Sequence, residues 1–379
     1  MSKAAELASL IGNINAGGGG VNRNVIINGA MNVAQRGTSK TSFGGGSASG
    51  YFTLDRFKLD QDSGGVLTMT QDSSSPDGFS NSLKLDCTTA DTSVAAGEYL
   101  VISHRIEGQN LQTFKKGTSD AKPFAVSFYA KANASATYVV ELFDSDNSRQ
   151  VSKSFTVGTD WARVELSFPA DTTGAFDQDA NNSLNMQIWL HAGTTWSSGT
   201  LSQTWTSNTN ANRAVGISSF YDSTDRTFFI TGLQLEVGQN PTEFEHEPFD
   251  VTLIKCQRYY QLVGRDFSDA TPNTAFGWGY TTSGSNAEGM FRFERRMREK
   301  PTFTASADGN LDFQTNTGSG AVNTSGNAFT SAVTSETSAE YTQQNYSSNF
   351  GGAGQPYFLK WNGVQSSGIT ASVQLDAEL

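Results

Sequence analysis

Residue types that commonly carry out acid–base or metal chemistry occur in this chain without the spacing that such chemistry requires. The three histidines, His104, His191 and His246, are far apart, so no two of them have the spacing of paired metal ligands. The sequence contains neither a serine-nucleophile elbow nor a nucleotide-binding fingerprint, and the glycine run at 17–20 lacks the Lys-Ser of a phosphate-binding loop. These observations predict a protein that is not an enzyme and that uses neither a cofactor nor a catalytic metal.

Carboxylates leave two further kinds of site open. Asp144 and Asp146 follow a predicted strand and could bind calcium through their hard oxygens, although a solvated turn also accounts for them. Glutamates alternate around His246 in residues 243–247, a pattern typical of the outward face of a terminal strand. Glycoside hydrolysis needs two carboxylates about 5 to 9.5 Å apart. With 37 acidic residues the sequence does not exclude such a pair.

Sugar recognition is better supported by the pattern of side chains. Apolar residues alternate from Leu184 to Leu190, which places Gln187, Trp189 and His191 on the opposite face of one strand. The same parity in another predicted strand turns Tyr129 away from the core. Aromatic rings pack against the C–H patches of a sugar, and amide groups bind its hydroxyls. These four residues therefore form a candidate glycan-binding platform, unless a loop or a neighbouring subunit covers the face.

The elements that must position these side chains are predominantly β-strands. Between residues 24 and 250, apolar and polar residues alternate in segments of five to eight, separated by Gly, Asn, Asp and Ser. The chain is 36% hydrophobic and contains 38 glycines, a composition that favours strands joined by many turns. A domain of this length suits a jelly-roll β-sandwich with long loops, of which 192–215 is one.

Short helices are predicted on both sides of this jelly roll. Before it, Ala4, Leu7, Ala8 and Ile11 have the spacing of one helical stripe, and a glycine linker follows, so residues 1–23 are expected to be an anchor. The anchor would attach the chain to a larger particle or form a self-associating stalk. The alternative is a terminus that is frayed or packed on its own chain.

A hinge helix and a second domain are predicted after the jelly roll. Apolar residues recur at helical spacing around 251–264, which we interpret as the hinge. Alternation returns in 265–379, which predicts a smaller C-terminal β-sandwich. The predicted fold class is thus all-β with a short N-terminal helix.

Charge and cysteine content exclude several classes of protein. The net charge of −11 argues against nucleic-acid binding and against docking on an anionic membrane. No stretch reaches the roughly 20 apolar residues of a membrane span. Cys87 and Cys256 are expected to be free and buried. The N-terminus has no signal-peptide pattern, so synthesis in a reducing cytoplasm is expected.

A resemblance to a known family rests on motifs that occur in order between about residues 24 and 261. They are NVIINGAMNVAQRG (24–37), YFTLDRF (51–57), RIEGQ (105–109), FYAK (128–131), GLQLEVG (232–238), FEHEPF (244–249) and CQRYYQ (256–261). In these motifs the chain resembles a broad family of tail-fibre or virion proteins of phages and prophages.

The resemblance implies a jelly roll similar to carbohydrate-binding modules in a homotrimeric fibre on a phage tail or capsid surface, made in the host cytoplasm. It implies two kinds of partner: other virion structural proteins, bound through the N-terminus, and a host-surface glycan or receptor. The alternatives are a head fibre or decoration protein on the capsid, a polysaccharide depolymerase and a secreted lectin. If the receptor contact lies in 265–379, Trp278, Tyr280 and Trp361 are candidate contacts, with core packing as the competing interpretation.

Overall fold

The computed structural model describes residues 3–4, 22–263, 275–282, 287–305, 311–315, 330–343, 353–354, 356–361 and 373–379. The chain divides into two compact units, one of residues 1–253 together with Leu379 and one of residues 254–378. This division falls within the predicted hinge segment. Of the predicted anchor stripe, Ala4 is helical and exposed, while Leu7, Ala8 and Ile11 lie outside the described residues, so the anchoring role stays a prediction.

The first unit is built from antiparallel strands. They are β1 (Ser39–Tyr51), β2 (Lys58–Asp72), β3 (Ser82–Thr89), β4 (Tyr99–Glu107), β5 (Phe124–Ala132), β6 (Ala136–Asp144), β7 (Arg149–Val157), β8 (Ala162–Phe168), β9 (Asn182–Ala192), β10 (Thr206–Ser207) and β11 (Thr227–Val237). The first layer has the order β10-β7-β6-β9-β4 and ends on the first half of β2. The second layer begins on the second half of β2 and continues as β3-β11-β5-β8, while β1 pairs along β2.

The two layers pack face to face through large apolar side chains. The ring of Tyr138 on β6 lies 5.5 Å from that of Phe228 on β11, and Phe155 on β7 lies 5.0 Å from Phe128 on β5. On β9 the alternating residues from Leu184 to Leu190 are buried between the layers, as their period of two predicts. The chain crosses repeatedly between the layers, and the predicted all-β jelly-roll sandwich is confirmed.

Glycine allows β2 to pass from one layer to the other. A Cβ added to Gly65 would lie 2.4 Å from the ring of Tyr221, which is fully buried. The register of β2 against β3 shifts directly afterwards, between Val66 and Leu67. A residue without a side chain is therefore required where the strand bends across the core.

The first motif of the family resemblance forms a turn that Asn28 stabilises. Asn28 is buried and has a φ of 64°, a left-handed conformation that asparagine tolerates better than most residues. Its Oδ1 accepts hydrogen bonds from the backbone N–H groups of Asn32 and Val33, both at 2.9 Å. Its Nδ2 donates to the carbonyl oxygens of Val33 at 2.9 Å and Asp55 at 3.1 Å. The side chain thus ties two of the motifs together.

The described residues of the second unit form two antiparallel sheets. Its strands are β12 (Tyr260–Val263), β13 (Ala275–Thr281), β14 (Ala287–Arg292), β15 (Thr302–Ala305), β16 (Leu311–Thr315), β17 (Thr330–Thr334), β18 (Ser338–Gln343), β19 (Pro356–Trp361) and β20 (Val373–Asp376). One sheet has the order β12-β20-β15, and the other has the order β16-β19-β13-β14-β18-β17. All regular elements described between residues 275 and 379 are strands, as predicted.

Helices are short in the described part of the chain. α1 (Thr194–Ser197) lies in the loop after β9, and α2 (Phe249–Gln257) follows the jelly roll. The prediction of a helix through residue 264 is wrong, because β12 pairs with β20 from Tyr260 onward. No helix among the described residues is long and apolar enough to cross a membrane. Cys87 and Cys256 are free and buried, as predicted.

Candidate functional site

Trp189, the centre of the predicted glycan platform, is covered by the loop that follows β9. Only 2% of Trp189 is exposed. Its indole Nε1 donates a hydrogen bond to Glu141 Oε2 at 2.8 Å. The ring of Trp196 from the covering loop lies 5.6 Å away, and that of Tyr99 lies 6.4 Å away. No sugar can therefore stack on Trp189 in this structure.

Arg213 holds the covering loop on the sheet. Its guanidinium binds the Glu141 carboxylate in a bidentate manner, with Nε to Oε1 and Nη2 to Oε2 both at 2.9 Å. Nη2 also donates to Gln187 Oε1 at 2.7 Å, which engages the amide that was expected to bind sugar hydroxyls. The same guanidinium lies 4.9 Å from the ring centre of Trp189. The prediction of an open platform is therefore wrong, and coverage by a loop, the alternative, is what the structure contains.

The other two platform residues do not complete the site. His191 is fully buried, its Nδ1 lies 2.8 Å from Ser219 Oγ, and its Nε2 lies 3.6 Å from Glu98 Oε2. Burial lowers the pKa of His191, although the Glu98 carboxylate opposes that effect. Tyr129 lies on β5 in the other layer, with its ring 5.5 Å from that of Phe79. The four predicted contacts are thus not brought together.

Asp144, the candidate calcium ligand, instead binds a lysine inside the protein. The Lys116 ammonium lies 2.5 Å from Asp144 Oδ2 and 3.1 Å from Asp171 Oδ2. It also donates to the carbonyl oxygens of Thr173 at 2.9 Å and Gly174 at 2.7 Å. Four oxygens therefore surround one nitrogen, as they would surround a metal cation. The interpretation of Asp144 as part of a solvated turn is also wrong, because its side chain is fully buried.

The other carboxylates that the sequence singles out have structural partners. Asp146 accepts a hydrogen bond from the backbone N–H of Asp177 at 2.9 Å. Glu245 accepts hydrogen bonds from three consecutive backbone N–H groups of residues 22–24, at 2.7, 2.7 and 3.0 Å. It thus fastens the start of the described jelly roll, and its segment is not a strand, contrary to the prediction. No group of three or more His, Cys, Asp or Glu side chains is placed to hold a metal among the described residues.

Among the residues that the structure describes, the most exposed aromatic side chains with a common orientation lie on β13 in the second unit. Trp278 is 61% exposed and Tyr280 is 49% exposed, whereas Gly277 and Gly279, which alternate with them, are buried. A strand turns successive residues to opposite faces, so both rings lie on one face of the six-stranded sheet. Core packing, the competing interpretation, is therefore wrong for both residues. The side chain of Trp361 lies outside the described part of the chain.

Polar and apolar groups of the neighbouring strands extend this surface. Met290 on β14 is opposite Trp278, and Glu288 is opposite Tyr280. The Tyr280 hydroxyl donates to Glu288 Oε2 at 3.1 Å. This hydrogen bond and the carboxylate charge raise the pKa of Tyr280, so the phenol stays protonated and neutral at ordinary pH. We call the side chains of Trp278, Tyr280 and Glu288 the aromatic face.

The aromatic face has the chemistry that was expected of a sugar-binding site. Rings two residues apart on a strand are separated by about 6.4–6.8 Å, so an extended ligand can contact both. Their flat faces suit the C–H patches of a pyranose, while the carboxylate and phenol suit hydroxyl groups. The alternation of glycine and aromatic residues in 275–281 was the sequence signal for this surface. Parity alone does not say which side of the strand is covered.

Comparisons with known proteins give only remote likenesses. No known family matches the chain, and no curated protein matches it significantly. Among solved structures, the enzymatically active domain of bacteriophage CBA120 tailspike protein 4 has a TM-score of 0.29 and 14% identity over 52% of this chain, which spans only 21% of that chain. A family 11 carbohydrate-binding module from Clostridium thermocellum has a TM-score of 0.26 and 12% identity, covering 55% of this chain and 97% of the module.

A third solved structure is similar at the same level. The carbohydrate-binding module TmCBM61 in complex with beta-1,4-galactotriose has a TM-score of 0.30 and 8% identity, covering 57% of this chain and 99% of the module. At such TM-scores these likenesses add nothing to the fold that follows from the strand order and packing of the chain itself.

Proposed function

We propose that this protein is a non-catalytic adhesin of a phage virion, a tail-fibre subunit that binds a host-surface glycan through the aromatic face. The observation that carries the proposal is the joint exposure of Trp278 and Tyr280 on one side of a sheet. The virion assignment is supported by the ordered motifs in which the chain resembles tail-fibre proteins. The glycan is supported by the chemistry of the face.

Exposure of two neighbouring rings favours a binding role over a purely structural one. Large aromatic side chains contribute most of the energy at many interfaces, because they offer much apolar area and lose few rotamers on binding. A saccharide that covers about 100–200 Å² of the two rings would gain about 2.5–5 kcal/mol from apolar burial. Part of that gain offsets the entropy lost on association, so a single site should bind weakly.

Weak single sites suit a trimeric fibre. If three chains present the same face toward one polymer, the apparent affinity can exceed that of one site by 10²–10⁴-fold without any new contact. A homotrimer that other virion proteins hold through residues 1–23 would thus attach firmly to a repetitive surface glycan. Light scattering of the purified protein should give a mass near three times 40.6 kDa, and removal of residues 1–20 tests whether they form the trimer.

The direct test is a glycan array probed with the full-length chain and two variants. Trp278→Ala should lower the affinity for each saccharide that the unmodified chain binds on the array by tenfold or more. Phe249→Ala is the matched control, because Phe249 is an aromatic residue that is 52% exposed but lies on α2. Equal binding by both variants would contradict the proposal. If the protein released new reducing ends from host polysaccharide, it would be a depolymerase and not a non-catalytic adhesin. Labelled antibody on whole particles would show whether the protein lies on the tail or on the capsid.

A further inference from the structure

Four side chains form a row across the outer face of the second layer of the jelly roll. Lys131 on β5 and Lys84 on β3 are both opposite Phe229 on β11 in the strand register. Trp161 stands directly before β8, next to the pair of Ala162 and Ala130. Neighbouring strands are about 4.8 Å apart, so the row crosses four strands over about 14 Å. We call Trp161, Lys131, Phe229 and Lys84 the cationic row; all four are partly exposed.

Within the cationic row, the lysines lie against the aromatic rings. Lys131 Nζ is 4.7 Å from the ring centre of Phe229 and 5.2 Å from that of Trp161. Lys84 Nζ is 5.4 Å from the Phe229 ring centre. The two rings are 6.1 Å apart at an angle of 72°. An ammonium therefore stands in the corner between two ring systems that a flat ligand could contact.

The charge of Lys131 is not balanced by a carboxylate within the part of the chain that the structure describes. Its ammonium donates a hydrogen bond to Ser74 Oγ at 2.8 Å, which leaves two of its three N–H groups for a ligand. Lys84 has a partner in Asp86 at 2.9 Å. Within the described residues, Lys131 is therefore a cation without a carboxylate partner, beside two aromatic rings, on a protein whose net charge is −11.

We infer that the cationic row is a second saccharide site, selective for sugars that carry an anionic group. The rings of Trp161 and Phe229 would pack against the C–H face of a pyranose. The ammonium of Lys131 would bind the carboxylate of a uronic acid or the sulfate of a sulfated sugar. This site lies in the first unit and does not depend on the aromatic face.

The competing explanation is structural: the aliphatic stems of the lysines cover the rings and leave their charges in water. The two explanations differ in what the charge does. A binding site for an anionic sugar needs the charge of Lys131. If the lysine only shields the rings from water, its methylene groups are sufficient. Lys131→Gln removes the charge and keeps much of the stem, and Lys131→Arg keeps the charge.

The test is calorimetric titration of the full-length chain with three probes: oligogalacturonate, dextran sulfate and neutral dextran. We expect oligogalacturonate, dextran sulfate or both to bind more tightly than neutral dextran and to bind less tightly as salt increases. Lys131→Gln should raise the Kd of the bound anionic probe by about tenfold or more, because a charge-assisted hydrogen bond is lost. Lys131→Arg should retain binding, and thermal unfolding of each variant shows that it is folded.

Two controls separate this inference from the proposed function. Lys40→Gln makes the same change at a lysine that also lies over a ring, 5.5 Å from the centre of Phe52, and should leave binding unchanged. Trp278→Ala should weaken binding at the aromatic face by tenfold or more but leave binding of the anionic probe unchanged. Equal binding of neutral and anionic probes, no binding of either anionic probe, or equal losses in the Lys131→Gln and Lys40→Gln variants would overturn the inference.

Discussion

Replacement of Lys116 by methionine should destabilise the first unit strongly. Lys116 and Asp144 are both fully buried, and the ammonium binds two carboxylates and two carbonyl oxygens. Methionine keeps most of the volume of the side chain but brings neither charge nor donors. Of its partners among the described residues, Asp144 would retain Asn147, whose backbone N–H and Nδ2 lie 3.0 Å from its oxygens. Asp171 would retain Arg149.

The expected loss follows from these remaining partners. Breaking a buried ion pair by removing one member costs about 3–5 kcal/mol, because the other charge stays buried without compensation. For a unit of this size, 1 kcal/mol corresponds to about 2–4 °C in melting temperature. Lys116→Met should therefore lower the melting temperature by about 6–20 °C. The double variant Lys116→Met/Asp144→Asn should recover much of the lost melting temperature, because residue 144 then carries no charge.

Urea unfolding followed by circular dichroism, with calorimetric melting as a second probe, measures this effect. Lys115→Met is the matched control, because Lys115 is the exposed neighbour and should change the free energy of unfolding by less than about 0.5 kcal/mol. Neither calcium nor a chelator should change the melting temperature of the unmodified protein, because the Lys116 ammonium already binds the four oxygens that could hold a cation. A loss below about 1 kcal/mol for Lys116→Met, or stabilisation by calcium, would refute the reasoning.

Three further predictions concern the first unit. Burial lowers the pKa of His104 and His191, so the unfolded chain binds more protons below about pH 6.5 and stability should fall on acidification, by up to about 1.4 kcal/mol per pH unit for each histidine. His104→Gln should flatten this dependence in urea unfolding, and an unchanged slope would contradict the prediction. Gly29→Ala would place a Cβ 2.1 Å from a backbone carbonyl oxygen of β11, and should cost about 1–3 kcal/mol in the same assay, unlike an alanine at an open glycine. Trp189→Ala should cost about 3–5 kcal/mol of stability yet leave glycan binding intact below the melting temperature; a specific loss of binding would restore the abandoned platform.

The strands were predictable because one side of each must be apolar. Residues 184–190 alternate strictly, and β9 buries the apolar set between the layers as that period requires. The parity of Trp189 was also correct, since it lies on the outer face of its layer. Parity could not reveal that a loop also covers this outer face. Trp196 and Arg213 come from that loop, whose position depends on Glu141, 72 residues before Arg213. Such long-range pairing leaves no local pattern in the sequence.

The candidate site was only partly accessible to sequence reasoning, for the same physical reason. The alternation of aromatic residues with glycine around Trp278 is typical of a half-buried strand, and it left both ligand contact and core packing open for Trp278 and Tyr280. The structure buries the glycines. The pairing of Lys116 with Asp144 spans 28 residues and was likewise invisible, so that Asp144 was interpreted as a calcium ligand or a solvated turn.

The most direct test of the central claim is hydroxyl-radical footprinting of the protein. It is carried out with and without a saccharide that the glycan array has shown to bind. Exposed aromatic rings are oxidised, and mass spectrometry of the peptides reports how far each is protected by the ligand. The account predicts that oxidation of Trp278 and Tyr280 falls on saturation, while that of the exposed Phe249 stays constant. Saturating saccharide without protection of Trp278 and Tyr280 would contradict the claim that the aromatic face binds the glycan.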